Sequence, residues 1–344
     1  MKAFGKHPNN SKRIDQIRSS PYFINKSFHN VNLTSMYPAG GSALKTAWNF
    51  LTTKKPQNIK PKNIIPSVKT DLTSLQAVAP TVIWFGHSSY LIKYKDFNIL
   101  VDPVYSGYAS PIRAAVKAFP GTDAYSVGDL PKIDILLLTH DHYDHIDFET
   151  VVALKYVKRV ICPLGVGEHL EHWGYPAQNI TELDWWGTTD TAENIKVTAT
   201  PARHFSGRGL TRNKTLWASF VLQLADFKIF IGGDSGYDDQ FKKIGEKFNT
   251  FDLAILECGQ YNENWPYIHM LPEETAQAAI DLNAKILMPV HWGKFILSVH
   301  PWTEPIERLL VKARELNLSI ATPTIGEIFR LNEPTPQSDW WRHV

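Results

Sequence analysis

The sequence predicts an α+β fold in which two mixed β-sheets pack together with helices outside. Two observations lead there. Short strand-like runs come first at hairpin spacing and then alternate with helix-like runs. One fully buried strand pattern, Ile133-Asp134-Ile135-Leu136-Leu137-Leu138, runs directly into the polar stretch Thr139-His140-Asp141-His142-Tyr143-Asp144-His145.

Residues 1–79 are rich in Asn, Ser, Lys and Pro and show weak periodicity. The exception is Ala43 to Leu51, where Leu44, Ala47, Trp48 and Leu51 share one helical face before Thr52-Thr53-Lys54-Lys55-Pro56 ends the run. This helix is expected to dock on the main core. The alternative is an interfacial anchor with Trp48 and Phe50 in lipid. From Thr81 the texture changes. Thr81–Phe85, Tyr90–Tyr94 and Phe97–Val101 read as strands, the last two joined by Lys95-Asp96 as a hairpin turn. Asp147 is placed to cap a helix over Glu149–Tyr156. Further strands are expected at Arg159–Cys162, Ile195–Thr200, Leu216–Leu224, Phe227–Ile231, Asp252–Glu257, Ala284–Val290 and Glu327–Leu331, with helices near 237–247, 273–283 and 303–316. No internal sequence repeat is visible. The chain divides into a basic extension, residues 1–79, packing on the core, and a main domain, residues 80–344.

A chain of 344 residues suffices for a sizeable core. No apolar run approaches the ~20 residues needed to cross a bilayer, and Met1-Lys2-Ala3-Phe4-Gly5-Lys6-His7 lacks the apolar core of a secretory signal. Cys162 and Cys258 lie far apart without zinc-finger spacing, and free thiols in a reducing cytoplasm are their simplest account. The net charge of +2 hides an asymmetry: residues 1–79 hold 12 Lys and Arg against Asp15 and Asp71, while the remainder holds 24 basic and 32 acidic residues. A basic arm wrapped on its own acidic body is the first expectation, and peripheral contact with the inner face of an anionic membrane the second. The acidic body argues against nucleic acid as a partner.

Imidazole and carboxylate are the side chains that hold zinc, iron or manganese. A buried strand ending in a tight loop would fan His140, His142, Asp144 and His145 toward one point. His204, Asp234 and His291 follow at the ends of further predicted strands, where functional groups are well positioned. Gly232-Gly233 lets the backbone crowd the site beside Asp234.

This arrangement resembles the metallo-β-lactamase superfamily, an αββα sandwich with metals between the sheet edges, over about residues 80–331. The resemblance implies two divalent ions, zinc first, with iron and manganese admitted. His140, His142 and His204 would hold one ion, Asp144, His145 and His291 the other, with Asp234 bridging. Asp234 stands where the best-known zinc β-lactamases have cysteine, and His142 where diiron flavoproteins have glutamate, so the set is similar to the hydrolytic binuclear members. Closer still, the chain resembles the phospholipase D that hydrolyses N-acyl-phosphatidylethanolamine and its bacterial relatives. That likeness runs through Trp84-Phe85-Gly86-His87-Ser88-Ser89-Tyr90, Val101-Asp102-Pro103, Pro201-Ala202-Arg203-His204, Gly233-Asp234-Ser235-Gly236-Tyr237, Ile268-His269-Met270-Leu271-Pro272 and His291-Trp292-Gly293. The superfamily also implies a homodimer.

The expected chemistry is hydrolysis by a metal-bridging hydroxide. Asp144 would ligate and also orient that hydroxide, and His269 would protonate the leaving oxygen or bind a substrate oxygen. Asp102 is either a support for a ligand histidine or a turn residue, and His87 either a site residue or a loop former. Arg208, Arg212 and Lys214 would receive a phosphate or remain solvated charges. Trp185, Trp186, Trp217, Tyr237, Tyr261, Trp265, Tyr267, Trp292 and Trp302 divide between core and an acyl-binding cleft. A phosphodiester, as in an N-acylated phospholipid, is the leading substrate class. A carboxylic ester, lactone, thioester or β-lactam comes next, then a nuclease, and last a metal-binding protein without turnover.

Overall fold

The computed structural model describes residues 2–38, 41–113, 115–192 and 194–344; Met1 lies outside them. The N-terminal region gives helix α1 (Ser11–Ser19), a hairpin of β1 (Phe23–Ile24) and β2 (Ser27–Phe28), and helix α2 (Ala43–Thr52). Helix α1 has too few apolar residues to form a periodic stripe, which hides it in the sequence. It is held instead by Arg13, which is buried and donates to Glu168, Glu171 and Glu182. Helix α2 forms where its spacing predicts, but docking through Leu44 and Trp48 is corrected: these side chains are 85% and 68% exposed. A polar tie, Asn49 Nδ2 to Asn264 Oδ1 at 2.9 Å, holds the helix instead. The side chains of Ala47, Phe50 and Leu51 lie outside the described residues.

The first large sheet is built in order from β3 (Thr81–Trp84), β4 (Tyr90–Tyr94), β5 (Phe97–Val101), β6 (Ile135–Leu137), β7 (Val160–Pro163) and β8 (Ile180–Leu183), with helices α3 (Phe148–Ala153) and α4 (Gly167–His172) between them. The second contains β9 (Thr188–Ala192), β10 (Ile195–Thr200), β11 (Ser219–Leu224), β12 (Phe227–Ile231), β13 (Leu253–Glu257), β14 (Ile286–Val290) and β15 (Ser319–Ile320). Helices α5 (Gln240–Phe248), α6 (Pro272–Asp281) and α7 (Glu304–Glu315) connect its parallel half, and β16 (Ile328–Arg330) returns to pair with β3. Each sheet starts as an antiparallel meander and ends parallel. One plan therefore occurs twice without any sequence repeat. This is the predicted α+β sandwich of two mixed sheets with flanking helices.

Burial alternation assembles the layers. Ile99, Val101, Ile135 and Leu137 face a core shared with Val197, Leu222, Ile229 and Ile255 of the second sheet. Leu100, Leu136 and Leu138 point the other way, against Val151, Leu154 and Leu170 around α3 and α4. The Lys95-Asp96 turn joins β4 and β5 in the expected register, with Lys95 at φ 53° and Tyr94 paired to Phe97. Asp147 caps α3 by accepting from Glu149 N–H, although the helix ends at Ala153, short of Tyr156. Besides α1 and the β1–β2 hairpin, β8, β9, α4 and β15 escape the sequence reading. They are short, and Thr188-Thr189-Asp190-Thr191 contains no large apolar residue. Cys162 and Cys258 are buried free thiols, and no helix among the described residues is long and apolar enough to cross a membrane.

Candidate metal centre

Strand β6 ends at Leu137, and the loop behind it is fixed by Asp102, which follows β5. Asp102 Oδ1 accepts Thr139 N–H at 2.9 Å, and Oδ2 accepts Thr139 Oγ1–H at 2.6 Å and His145 Nδ1–H at 2.7 Å. His145 Nε2 is thereby turned inward, 3.1 Å from Asp234 Oδ1 and 3.5 Å from Asp144 Oδ2. Asp102 thus supports a candidate ligand rather than merely turning the chain. Gly233 lets the Asp234 segment approach, since a Cβ there would sit 2.9 Å from Thr139 Cβ at φ 59°.

Two groups of side chains converge around Asp234. In the first, His140 Nε2 lies 2.9 Å from His142 Nδ1, which is 3.3 Å from His204 Nε2. Both His140 Nε2 and His204 Nε2 are 3.7 Å from Asp234 Oδ2. His204 donates Nδ1–H to Ile268 O at 2.8 Å, which frees Nε2 for the centre. The second group brings together His87, Asp144, His145 and His291, with ligand atoms within 4.8 Å of one another. His291 Nδ1 lies 3.2 Å from Asp234 Oδ1, and His87 Nε2 lies 2.9 Å from Asp144 Oδ2. All seven expected ligand positions therefore come together, and His87 stands among them.

Donor chemistry fits divalent cations. His145 Nε2, His291 Nε2 and Asp234 Oδ1 are buried without a hydrogen-bond partner, a costly state unless a cation takes their lone pairs. Burial holds His140, His204 and His291 well below the usual imidazole range, the neutral form a metal requires. Asp144 and Asp234 stay well below the usual carboxylate range: burial opposes this, and neighbouring imidazoles, His145 foremost, outweigh it.

His269 flanks this centre, its ring stacked 5.2 Å from His291 and edge-on 5.0 Å from His204. Its partner, missed in the sequence, is Glu257 at the end of β13. Glu257 Oε2 lies 2.7 Å from His269 Nδ1, and Oε1 accepts Ser235 and Met270 N–H. The available signal was its place at the tip of an apolar strand, as for Asp234. A cleft of about 600 Å³ opens on Asp144, Asp234, His269 and His291 between Met36, Tyr37, Phe205 and Trp265. A neighbouring cavity of about 750 Å³ shares His269.

The basic loop divides. Arg208 is 1% exposed and spends its guanidinium on the carbonyls of Ala3, Asp141 and Ile146, so it is not a phosphate receiver. Lys214 donates to Lys26 O. Only Arg212 lines the cleft, over the Phe205 ring. Of the nine aromatics singled out, Trp265 alone lines that cleft; Trp185, Trp217, Tyr261, Trp292 and Trp302 are buried.

Residues 97–292 match the family described as the beta-lactamase superfamily domain. An uncharacterized protein of Mycobacterium tuberculosis is 38% identical over 94% of this chain and 88% of its own length. The N-acyl-phosphatidylethanolamine-hydrolyzing phospholipase D 1 of Caenorhabditis elegans is 30% identical over 73% of this chain and 75% of its own. Among solved structures, Igni18, a metallo hydrolase of the archaeon Ignicoccus hospitalis, shares the fold with a TM-score of 0.56, 18% identity, and coverage of 73% of this chain and 97% of that one.

Proposed function

We propose that this chain, which belongs to the metallo-β-lactamase superfamily of metal-dependent hydrolases, is a binuclear phosphodiesterase acting on N-acylated phospholipids. The observation that carries the proposal is the pair of ligand groups meeting on Asp234 at the floor of an apolar cleft, with His269 beside them. His140, His142, His204 and Asp234 would hold one ion, and Asp144, His145 and His291, beside Asp234, would hold the other. Nitrogen and carboxylate donors of this kind suit zinc, iron or manganese. Such ions supply a water of lowered pKa and neutralise charge on the phosphoryl oxygens.

The chain's own groups do the rest. Asp144, paired with His87, orients the attacking oxygen as well as binding metal. His269 donates a proton to the departing oxygen, and its retention by Glu257 keeps that proton available. Met36, Tyr37, Phe205 and Trp265 exclude water and accept acyl chains. The name of the nematode relative supports the headgroup cleavage. Exposed Leu33, Leu44, Trp48 and Leu210 lie within three residues of the cleft-lining Met36, Thr46 and Arg212, which supports peripheral contact with lipid.

Hydrolysis by the metal-reconstituted protein beside Asp144→Asn tests this reading. Turnover of bis(p-nitrophenyl) phosphate and N-acyl-phosphatidylethanolamine, lost in the variant, is expected. Turnover confined to lactones, a thioester or a β-lactam would overturn the phosphodiester assignment and leave the metal centre standing.

A further inference from the structure

We infer that residues 2–6 form a positioning strap that braces the ligand loops of the metal centre from behind. The inference rests on the ligand assignment proposed above. Three backbone groups make the contact. Ala3 O accepts from Arg208 Nε at 3.1 Å and Nη2 at 2.8 Å. Lys2 O accepts Trp173 Nε1–H at 2.8 Å, and Lys6 N–H donates to His169 Nδ1 at 3.0 Å.

Arg208 and His169 each pass the contact on to the ligand loop. Arg208 Nη1 donates to Asp141 O and Ile146 O, both at 2.8 Å, clamping the two ends of the turn that carries His142, Asp144 and His145. Because His169 Nδ1 accepts from Lys6, its hydrogen sits on Nε2, which donates to Asp141 Oδ2 at 3.2 Å. Asp141 lies between His140 and His142 in the chain. Its carboxylate also takes Gly207 N–H at 2.7 Å and Thr215 Oγ1–H at 3.0 Å, so it ties the His140 loop to the segment following His204. Asp141, His169 and Arg208 are all buried. Removing the strap would leave Arg208 and His169 with unpaired polar atoms directly behind the ligands, in a place where lost partners are costly.

The strap is written in the backbone, which explains why no motif announces it. One residue is constrained: at Gly5, φ is 69° and a Cβ would lie 2.2 Å from His169 Nδ1. The basic composition of the arm is thus secondary to its path. Supports of metal ligands commonly contribute 10–100-fold in metal affinity, and this one reaches the centre across two hydrogen bonds.

The test uses cobalt(II) as the probe on the full chain. Visible absorption reports ligand geometry, and competition with a chelator gives affinity. Lys6→Pro deletes the N–H to His169, a variant lacking residues 2–6 removes the whole strap, and Lys6→Ala keeps the N–H. Lys6→Pro and the shortened chain should bind cobalt about 10-fold more weakly, with shifted absorption bands and cooperative melting when metal-free. Lys6→Ala should match the wild type, since a part-exposed pair with Glu168 contributes little. Wild-type affinity and spectrum in the shortened chain would overturn the strap. So would loss of cooperative melting in metal-free Lys6→Pro, which would mark residues 2–6 as general scaffold. A wild-type protein that binds no cobalt would instead overturn the ligand assignment, and the strap with it.

Discussion

The carboxylate of Glu257 lies 2.7 Å from His269 Nδ1, both side chains being withdrawn from bulk water. Burial alone would lower the His269 pKa, but the charge and hydrogen bond of Glu257, together with the Asp234 and Asp144 charges, outweigh it and raise the imidazole above its ordinary value. Glu257 is thus the main support for the protonated imidazole that the proposed acid role requires. Glu257→Gln should slow hydrolysis of a dialkyl phosphodiester, whose alkoxide must be protonated, by about 100-fold. Bis(p-nitrophenyl) phosphate, with a leaving group stable as an anion, should be hydrolysed nearly as before. Equal losses on both substrates would remove the acid role from His269.

Asp102 offers a second test, because its Oδ2 accepts from both Thr139 and His145. Asp102→Asn keeps the shape and removes the charge that holds His145 with Nε2 inward. Metal affinity should fall about 10–100-fold, read by chelator competition at fixed pH. An unchanged dissociation constant would mean that the loop alone orients His145.

Much of the centre was legible because its parts are local. The run from His140 to His145 and the strand ends before Asp234 and His291 announce themselves by residue type and spacing. Hairpin strands such as β4 and β5 were legible for the same reason: a turn and an alternating pattern sit in one short window. Long-range relationships left no such trace. Glu257 is an ordinary acid until β13 is laid beside β12 and its carboxylate meets His269. Arg208 reads equally as a phosphate receiver or a solvated charge until its guanidinium is seen to be consumed by carbonyls. Helix α1 has no apolar stripe because Ile17 alone of its buried side chains joins the apolar core, beside the ion cluster around Arg13.

That cluster makes a third prediction. Arg13 donates to Glu182 through Nε at 2.5 Å and to Glu168 through Nη1 at 2.7 Å, and all three side chains are at most 8% exposed. Arg13→Ala removes the cation shared by two buried carboxylates, leaving Glu168 with Lys6 alone and Glu182 with only backbone N–H donors, a change that typically costs about 3–5 kcal/mol. Urea unfolding of the metal-loaded protein at neutral pH should show a loss of that size, with Arg13→Lys in between. A loss below about 1 kcal/mol would place this cluster with ordinary exposed ion pairs.

His300 supplies the last prediction. Its Nε2 accepts Gln260 N–H at 2.8 Å, while Nδ1–H donates to Pro301 O at 2.8 Å, so both nitrogens are committed to the neutral ring. Burial lowers its pKa from the ordinary 6.5, and the Pro301 carbonyl and Glu304 only partly offset this. The sign follows from proton uptake: below pH 6.5 the unfolded chain protonates this residue while the folded chain still resists. The contribution of His300 to stability is therefore complete above pH 6.5 and is lost as pH falls toward the lower folded-state value. Other buried histidines titrate as well, His140, His204 and His291 pushing in the same direction and His145 and His269 in the opposite one, so the informative quantity is the difference between wild type and His300→Gln, whose Oε1 can still accept from Gln260. Urea unfolding of metal-free protein from pH 7.5 to 5 should show the wild type losing stability more steeply than the variant. Parallel curves would mean that His300 titrates alike in the folded and unfolded chain, and that the bond from Gln260 does not depend on a neutral ring.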